Sequence, residues 1–148
     1  DEDEAYVMFK RFEADADMTE SIATNKWARI WEYPKYAFKW LLLDKIGLYA
    51  TSPGRVLISV VFFWIFFGIS YYLIDLSGLG KTISSVGNPD NLSTLTQSFY
   101  HAAITFFTIG YGDTFPIGLS RILAGFEGFM GVFMMSYFTV AFVRKILR

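Results

Sequence analysis

Cysteine is absent from this 148-residue chain, so disulfides, cysteine-ligated metals and thiol chemistry are excluded. Histidine occurs once, at His101, and a lone histidine cannot build a histidine cluster around a metal. No apolar run carries arginine at every third position, which excludes a voltage-sensing helix. No cleavable leader is expected, because the apolar runs are internal, and no internal repeat is visible. What fills the chain instead is apolar and aromatic. It is 53% hydrophobic and 20% aromatic, with 16 Phe, which is outside the habit of a soluble domain of this size.

A formal net charge of −1 hides an asymmetry. Residues 1–20 hold eight acids against Lys10 and Arg11, whereas residues 21–148 hold eleven bases against six acids. An acidic, water-facing head therefore precedes a membrane body with basic flanks. Opening on Asp-Glu-Asp-Glu, the chain reads as a fragment, and its head as part of a cytosolic regulatory module outside it. Within residues 1–25, Ala5, Met8, Phe9 and Phe12 recur at helical spacing and predict a cytosolic amphipathic helix needing a packing partner. Residues 26–52 mix Trp27, Trp31, Tyr33, Tyr36 and Trp40 with Lys35, Lys39 and Lys45, a composition suited to lipid headgroups. Pro34 fits the first turn of an interfacial helix there, which is expected to end near Leu43.

Residues 53–148 form the membrane body. Val56 to Ile74 carries no charge, and a second run from Ile122 to Val143 is broken only by Glu127. Each is long enough to cross a hydrocarbon core of ~30 Å as a helix. Lysines and arginines lie before the first run and after the second, while Asp75 to Ser120 has one Lys and no Arg. The positive-inside rule then places both termini in the cytoplasm and the middle segment outside, in the plasma membrane. Ser77 to Leu92, rich in Gly, Ser and Asn, is expected to be an exposed loop. Ser93 or Thr94 can N-cap a short helix running to about Phe107, too short to cross the membrane. This segment dips in and returns to the same side. The fold class is an all-α membrane protein: two transmembrane helices around a re-entrant helix and an extended strip, preceded by cytosolic and interfacial helices.

Irregular backbone at membrane depth must be buried in protein or line a watery path. Here that backbone is Thr108-Ile109-Gly110-Tyr111-Gly112-Asp113. Glycines tolerate both hands of backbone, and a strip alternating between the hands can point successive carbonyls the same way. Carbonyl oxygens are hard, neutral ligands, suited to a monovalent cation that must bind and then leave. One chain supplies one wall of such a site, so symmetric assembly about an axis is required, with four copies the natural number.

The hexapeptide resembles the selectivity-filter signature of potassium channels, and residues 53–148 are most similar to the two-transmembrane prokaryotic pores. The resemblance implies an outer helix at 54–76, a turret at 77–92, a pore helix at 93–107, a filter at 108–112 and an inner helix at 119–147. It implies a homotetramer in membrane lipid that passes K⁺ passively. The carbonyls of Thr108, Ile109, Gly110, Tyr111 and Gly112, with the Thr108 hydroxyl, would hold the ions. No cofactor besides filter K⁺, no enzymatic activity and no nucleic-acid partner is implied. The Tyr111 ring would pack against pore helices, and Asp113 would sit behind the outer mouth, hydrogen-bonded to Tyr100. Two departures stand out. Phe107-Thr108 replaces the threonine pair of many relatives, and Ile104 stands where some carry a carboxylate behind the filter. Two other readings stay open: a weakly selective cation channel of the same fold, and a non-conducting membrane sensor or anchor subunit.

In the second run, Gly131 stands where the family often has a hinge; close packing is the alternative. Glu127 lies one helical turn earlier, with Thr105 or Thr108 as expected partners. It either adds negative potential to a cavity or is a neutral, hydrogen-bonded packing residue. Met135, Phe138 or Thr139, and Phe142 follow on the Gly131 face as candidates for cavity lining or for packing. His101 is read as a hydrogen-bonded structural residue rather than a proton sensor.

Overall fold

The computed structural model describes residues 2–24, 29–40, 51–87 and 90–147. Five helices and a two-stranded ribbon are present among them: α1 Glu2–Thr24, α2 Arg29–Lys39, α3 Pro53–Ser77, β1 Gly80–Ser84, α4 Thr94–Phe106, β2 Thr114–Gly118 and α5 Ser120–Ile146. The chain divides into two compact units, one of residues 1–57 with 138–148 and one of residues 58–137.

In the first unit, α1 opens on Glu2, Asp3 and Glu4, whose charges oppose the positive end of the helix dipole. The Tyr36 hydroxyl of α2 donates to the Asp15 carboxylate of α1. The Arg144 guanidinium lies 4.0 Å from the centre of the Tyr6 ring, close enough for a cation–π contact. The apolar stripe expected to pack is open in the single chain: Met8, Phe9 and Phe12 are 61%, 62% and 73% exposed, and Val7 is buried in their place. Pro34 is also displaced from its expected position. It sits inside α2, which begins at Arg29, so its missing N–H leaves a gap in the helix ladder instead of falling in the unpaired first turn. The expected helix end at Leu43 lies outside the described residues, as do Trp27 and Lys45.

Helices α3 and α5, of 25 and 27 residues, are both long and apolar enough to cross a membrane. Proline at the first position of α3 costs nothing, since that N–H has no helical partner. Arg144 and Lys145 stand in the last turn of α5, where the dipole favours cations. Ile58, Phe62 and Leu73 of α3 and Ile122, Phe129 and Val132 of α5 remain exposed. Helices apolar on nearly every face need more cover than one chain gives.

The core of the second unit is aromatic. Phe67 is fully buried, with ring centres of Phe106 and Phe126 each 6.2 Å away. Gly68 admits the Phe99 ring, whose Cδ1 would lie 2.8 Å from any β-carbon built there. The Trp64 indole donates to the Phe99 carbonyl at 3.1 Å.

The open loop expected over Ser77 to Leu92 is corrected by β1. That strand pairs antiparallel with β2, with Gly80 opposite Gly118, Thr82 opposite Pro116 and Ser84 opposite Thr114. Glycine is required where the ribbon begins. A β-carbon at Gly80 would stand 2.6 Å from the Ile117 carbonyl oxygen, and one at Gly118 2.5 Å from that of Leu79. Loop-like composition hid a strand because those glycines serve close approach of two backbones.

Candidate functional site

Helix α4 aims the site. Its N-cap is Ser93, whose hydroxyl accepts from the Thr96 N–H at 3.2 Å. Its buried face presents Ala102, Ile104 and Phe106 to the core. At the other end the Ile104 carbonyl accepts from both Ile109 N–H, at 2.9 Å, and Gly110 N–H, at 3.2 Å. The chain is thereby turned out of the helix and into the strip.

Along the strip the backbone alternates in hand. Thr108, Gly110 and Gly112 have φ of +54°, +57° and +77°, while Ile109 and Tyr111 keep the ordinary negative sign. Glycine accepts this without strain; Thr108 does so at a cost of roughly 1–2 kcal/mol. Such a conformation persists only where surrounding structure enforces it. Here the bond from Thr108 N–H to the Thr105 carbonyl, at 3.0 Å, and the double acceptor at Ile104 supply that restraint. Residues 108–112 are all exposed in the single chain, with the Tyr111 ring 70% open.

Beyond the strip, the Tyr100 hydroxyl donates to Asp113 Oδ2 at 2.6 Å. That bond is the leading cause pushing the Tyr100 hydroxyl pKa up to about 12. Asp113 Oδ1 is buried without a partner. One residue along α4, His101 is buried, its Nδ1 lying 2.9 Å from the Thr114 hydroxyl. Burial draws the imidazole below its ordinary range, and the nearby Asp113 charge only partly offsets this. His101 also meets the Tyr71 ring edge-on at 5.0 Å. Turret and strip touch as well: Ser85 N–H donates to the Asp113 carbonyl at 2.7 Å. Its hydroxyl lies 3.0 Å from that oxygen and 3.2 Å from the Gly112 carbonyl oxygen.

Glu127 is fully buried, and neither Thr105 nor Thr108 is its partner. The Tyr71 hydroxyl of α3 donates to Glu127 Oε2 at 2.6 Å, while Oε1 has no partner. Helical spacing gave the level of Glu127 in the membrane but not the rotation of α5, which turns the carboxyl toward α3. Gly131 is packed against α4. A β-carbon there would collide with the Phe106 carbonyl, lying 2.8 Å from its carbon and 3.1 Å from Phe106 Cα. Met135 and Phe138 are part-buried, whereas Thr139 is exposed and Phe142 is 48% exposed, the Phe138 and Phe142 rings stacking at 5.8 Å. Tyr71, Ser85 and Thr114 escaped the sequence reading. A tyrosine in an otherwise apolar span was a usable signal for Tyr71, since a buried hydroxyl needs an acceptor. Nothing local marked Ser85.

Residues 59–148 match the family model described as "Ion channel". The chain belongs to this ion channel family. Two apolar helices of spanning length fit the membership and make it a membrane protein. The chain is 28% identical over 109 residues to protein LctB of Geobacillus stearothermophilus, covering 71% of this chain and 75% of that one. It is 33% identical over 70 residues to protein LctB of Bacillus caldotenax, covering 46% and 52%. No solved structure matches.

Proposed function

We propose that four copies of this channel-family chain form a potassium-selective pore, with the strips at residues 108–112 lining the axis. The observation that carries this reading is the alternation of backbone hand at Thr108, Gly110 and Gly112. Alternating hands let consecutive carbonyls of Thr108 to Gly112 face one side, and a ring of such strips replaces the water around K⁺. The strip and the Tyr111 ring, open in one chain, are the surfaces that fourfold assembly covers. Tyr100 and Asp113 brace the outer end. Both termini lie on the cytoplasmic face of the plasma membrane, as the distribution of lysine and arginine favours. The activity is passive conduction, not catalysis.

The test is the reversal potential of purified, reconstituted protein in planar bilayers with K⁺ on one side and Na⁺ on the other. A potential close to the K⁺ equilibrium value is expected. A value near zero would replace the potassium claim with a weakly selective cation pore. Absence of any K⁺ current from protein that is demonstrably tetrameric would instead favour a non-conducting sensor or anchor.

A further inference from the structure

The turret reaches the last carbonyl of the strip, and that contact bears on how an ion leaves. We propose that Ser85 tunes the outermost ion site by competing with the ion for the Gly112 carbonyl. The proposal rests on the filter reading above. Ser85 directly follows β1, and its backbone N–H is anchored on the Asp113 carbonyl at 2.7 Å. Its hydroxyl therefore hangs within reach of two carbonyl oxygens, Asp113 at 3.0 Å and Gly112 at 3.2 Å.

A hydroxyl has a single proton to donate. When that proton faces the Gly112 oxygen, its positive end lies beside the oxygen on which a cation would rest. Donor and cation then repel across a shared acceptor, and the site binds its ion more weakly. Conduction needs this weakness, because an ion held too firmly at the last ring does not leave. The ribbon sets the distance. Its register places Ser84 opposite Thr114, so Ser85 falls level with Asp113. The backbone contacts at Gly80 and Gly118 and the buried Thr82 resist a slip along the strands.

The experiment compares Ser85→Ala, Ser85→Thr and the parent as single channels in planar bilayers. Conductance is followed as K⁺ is raised first on the side that Ser85 faces, then on the other. Ser85→Ala keeps the backbone bond to Asp113 and loses only the hydroxyl. It is expected to half-saturate at about fivefold lower K⁺ from the Ser85 side, the equivalent of one net hydrogen bond, with no change from the opposite side. Ser85→Thr, which retains a hydroxyl, is expected to follow the parent. No shift in Ser85→Ala, a shift to weaker binding, or an equal shift from both sides overturns the proposal while leaving the pore reading intact. A parent protein that passes no K⁺ current overturns both.

Discussion

Replacing Gly131 by alanine separates two roles for this glycine. Alanine favours the helix over glycine by roughly 1 kcal/mol. Where space is open, as at Gly125 and Gly128 with nothing within 4 Å of an added β-carbon, the same change is therefore expected to stabilise. At Gly131 the new carbon lies 2.8 Å from the Phe106 carbonyl carbon, whereas non-bonded carbons rest about 3.5–4.0 Å apart. The Phe106 carbonyl oxygen is nearer still, so one helix must retreat by more than the ~0.7 Å that the carbon contact alone requires. The obstacle is backbone, so no rotamer change relieves it. Overpacking of this kind costs typically 1–3 kcal/mol, which outweighs the gain in helix propensity. Phe106 is the last residue of α4, two before Thr108, so the displacement is delivered to the strip itself. Gly131→Ala is therefore expected to lower the thermal midpoint of the detergent-solubilised assembly and to weaken its stabilisation by added K⁺. Gly125→Ala serves as the control and should leave both unchanged or improved. If Gly131→Ala keeps the parental midpoint and K⁺ response and only lowers open probability, the packing explanation is wrong and the glycine serves as a hinge.

Tyr100→Phe leaves Asp113 without its tyrosine donor and is expected to speed slow inactivation under sustained current; unchanged inactivation and conductance would show that the bond does not brace the strip. Tyr71→Phe strips the buried Glu127 of its donor and should destabilise the protein by about 1–3 kcal/mol in thermal unfolding. Glu127→Gln keeps an acceptor for Tyr71 and is expected to change conductance little, so a large loss of current would point to a direct electrostatic role for the carboxylate. His101 carries a lowered pKa, so between that value and the ordinary 6.5 the unfolded chain binds a proton that the folded chain does not. Stability should then be flat above pH 6.5 and fall as pH drops below it, and the His101→Gln variant should lessen the fall.

The parts legible in the sequence are those that depend on local pattern. Uncharged apolar runs yield α3 and α5, and a serine before an amphipathic stretch yields the start of α4. Glycines at 110 and 112 announce backbone of the other hand. The Tyr100–Asp113 bond is accessible only through resemblance, since two residues thirteen positions apart carry no local signal that joins them. What stayed hidden depends on how elements are rotated about their axes or brought together from afar. The partner of Glu127 follows from the turn of α5 toward Tyr71, fifty-six residues away. The ribbon was masked because Gly80 and Gly118 read as turn residues when each is alone, and only their pairing shows that both make room for a neighbouring backbone. The stripe on α1 is apolar yet open in the single chain, because a periodic pattern states that a face wants cover without stating what covers it.

The openness of residues 108–112 in one chain also has a genetic consequence. If each copy supplies one wall of the proposed site, the site is judged by its worst member. If assembly is fourfold and random, mixing equal amounts of intact and strip-damaged chains leaves only about one sixteenth of the assemblies wholly intact. A damaged copy expressed beside a sound one would then silence far more than its own share, and the steepness of that loss with mixing ratio would count the subunits.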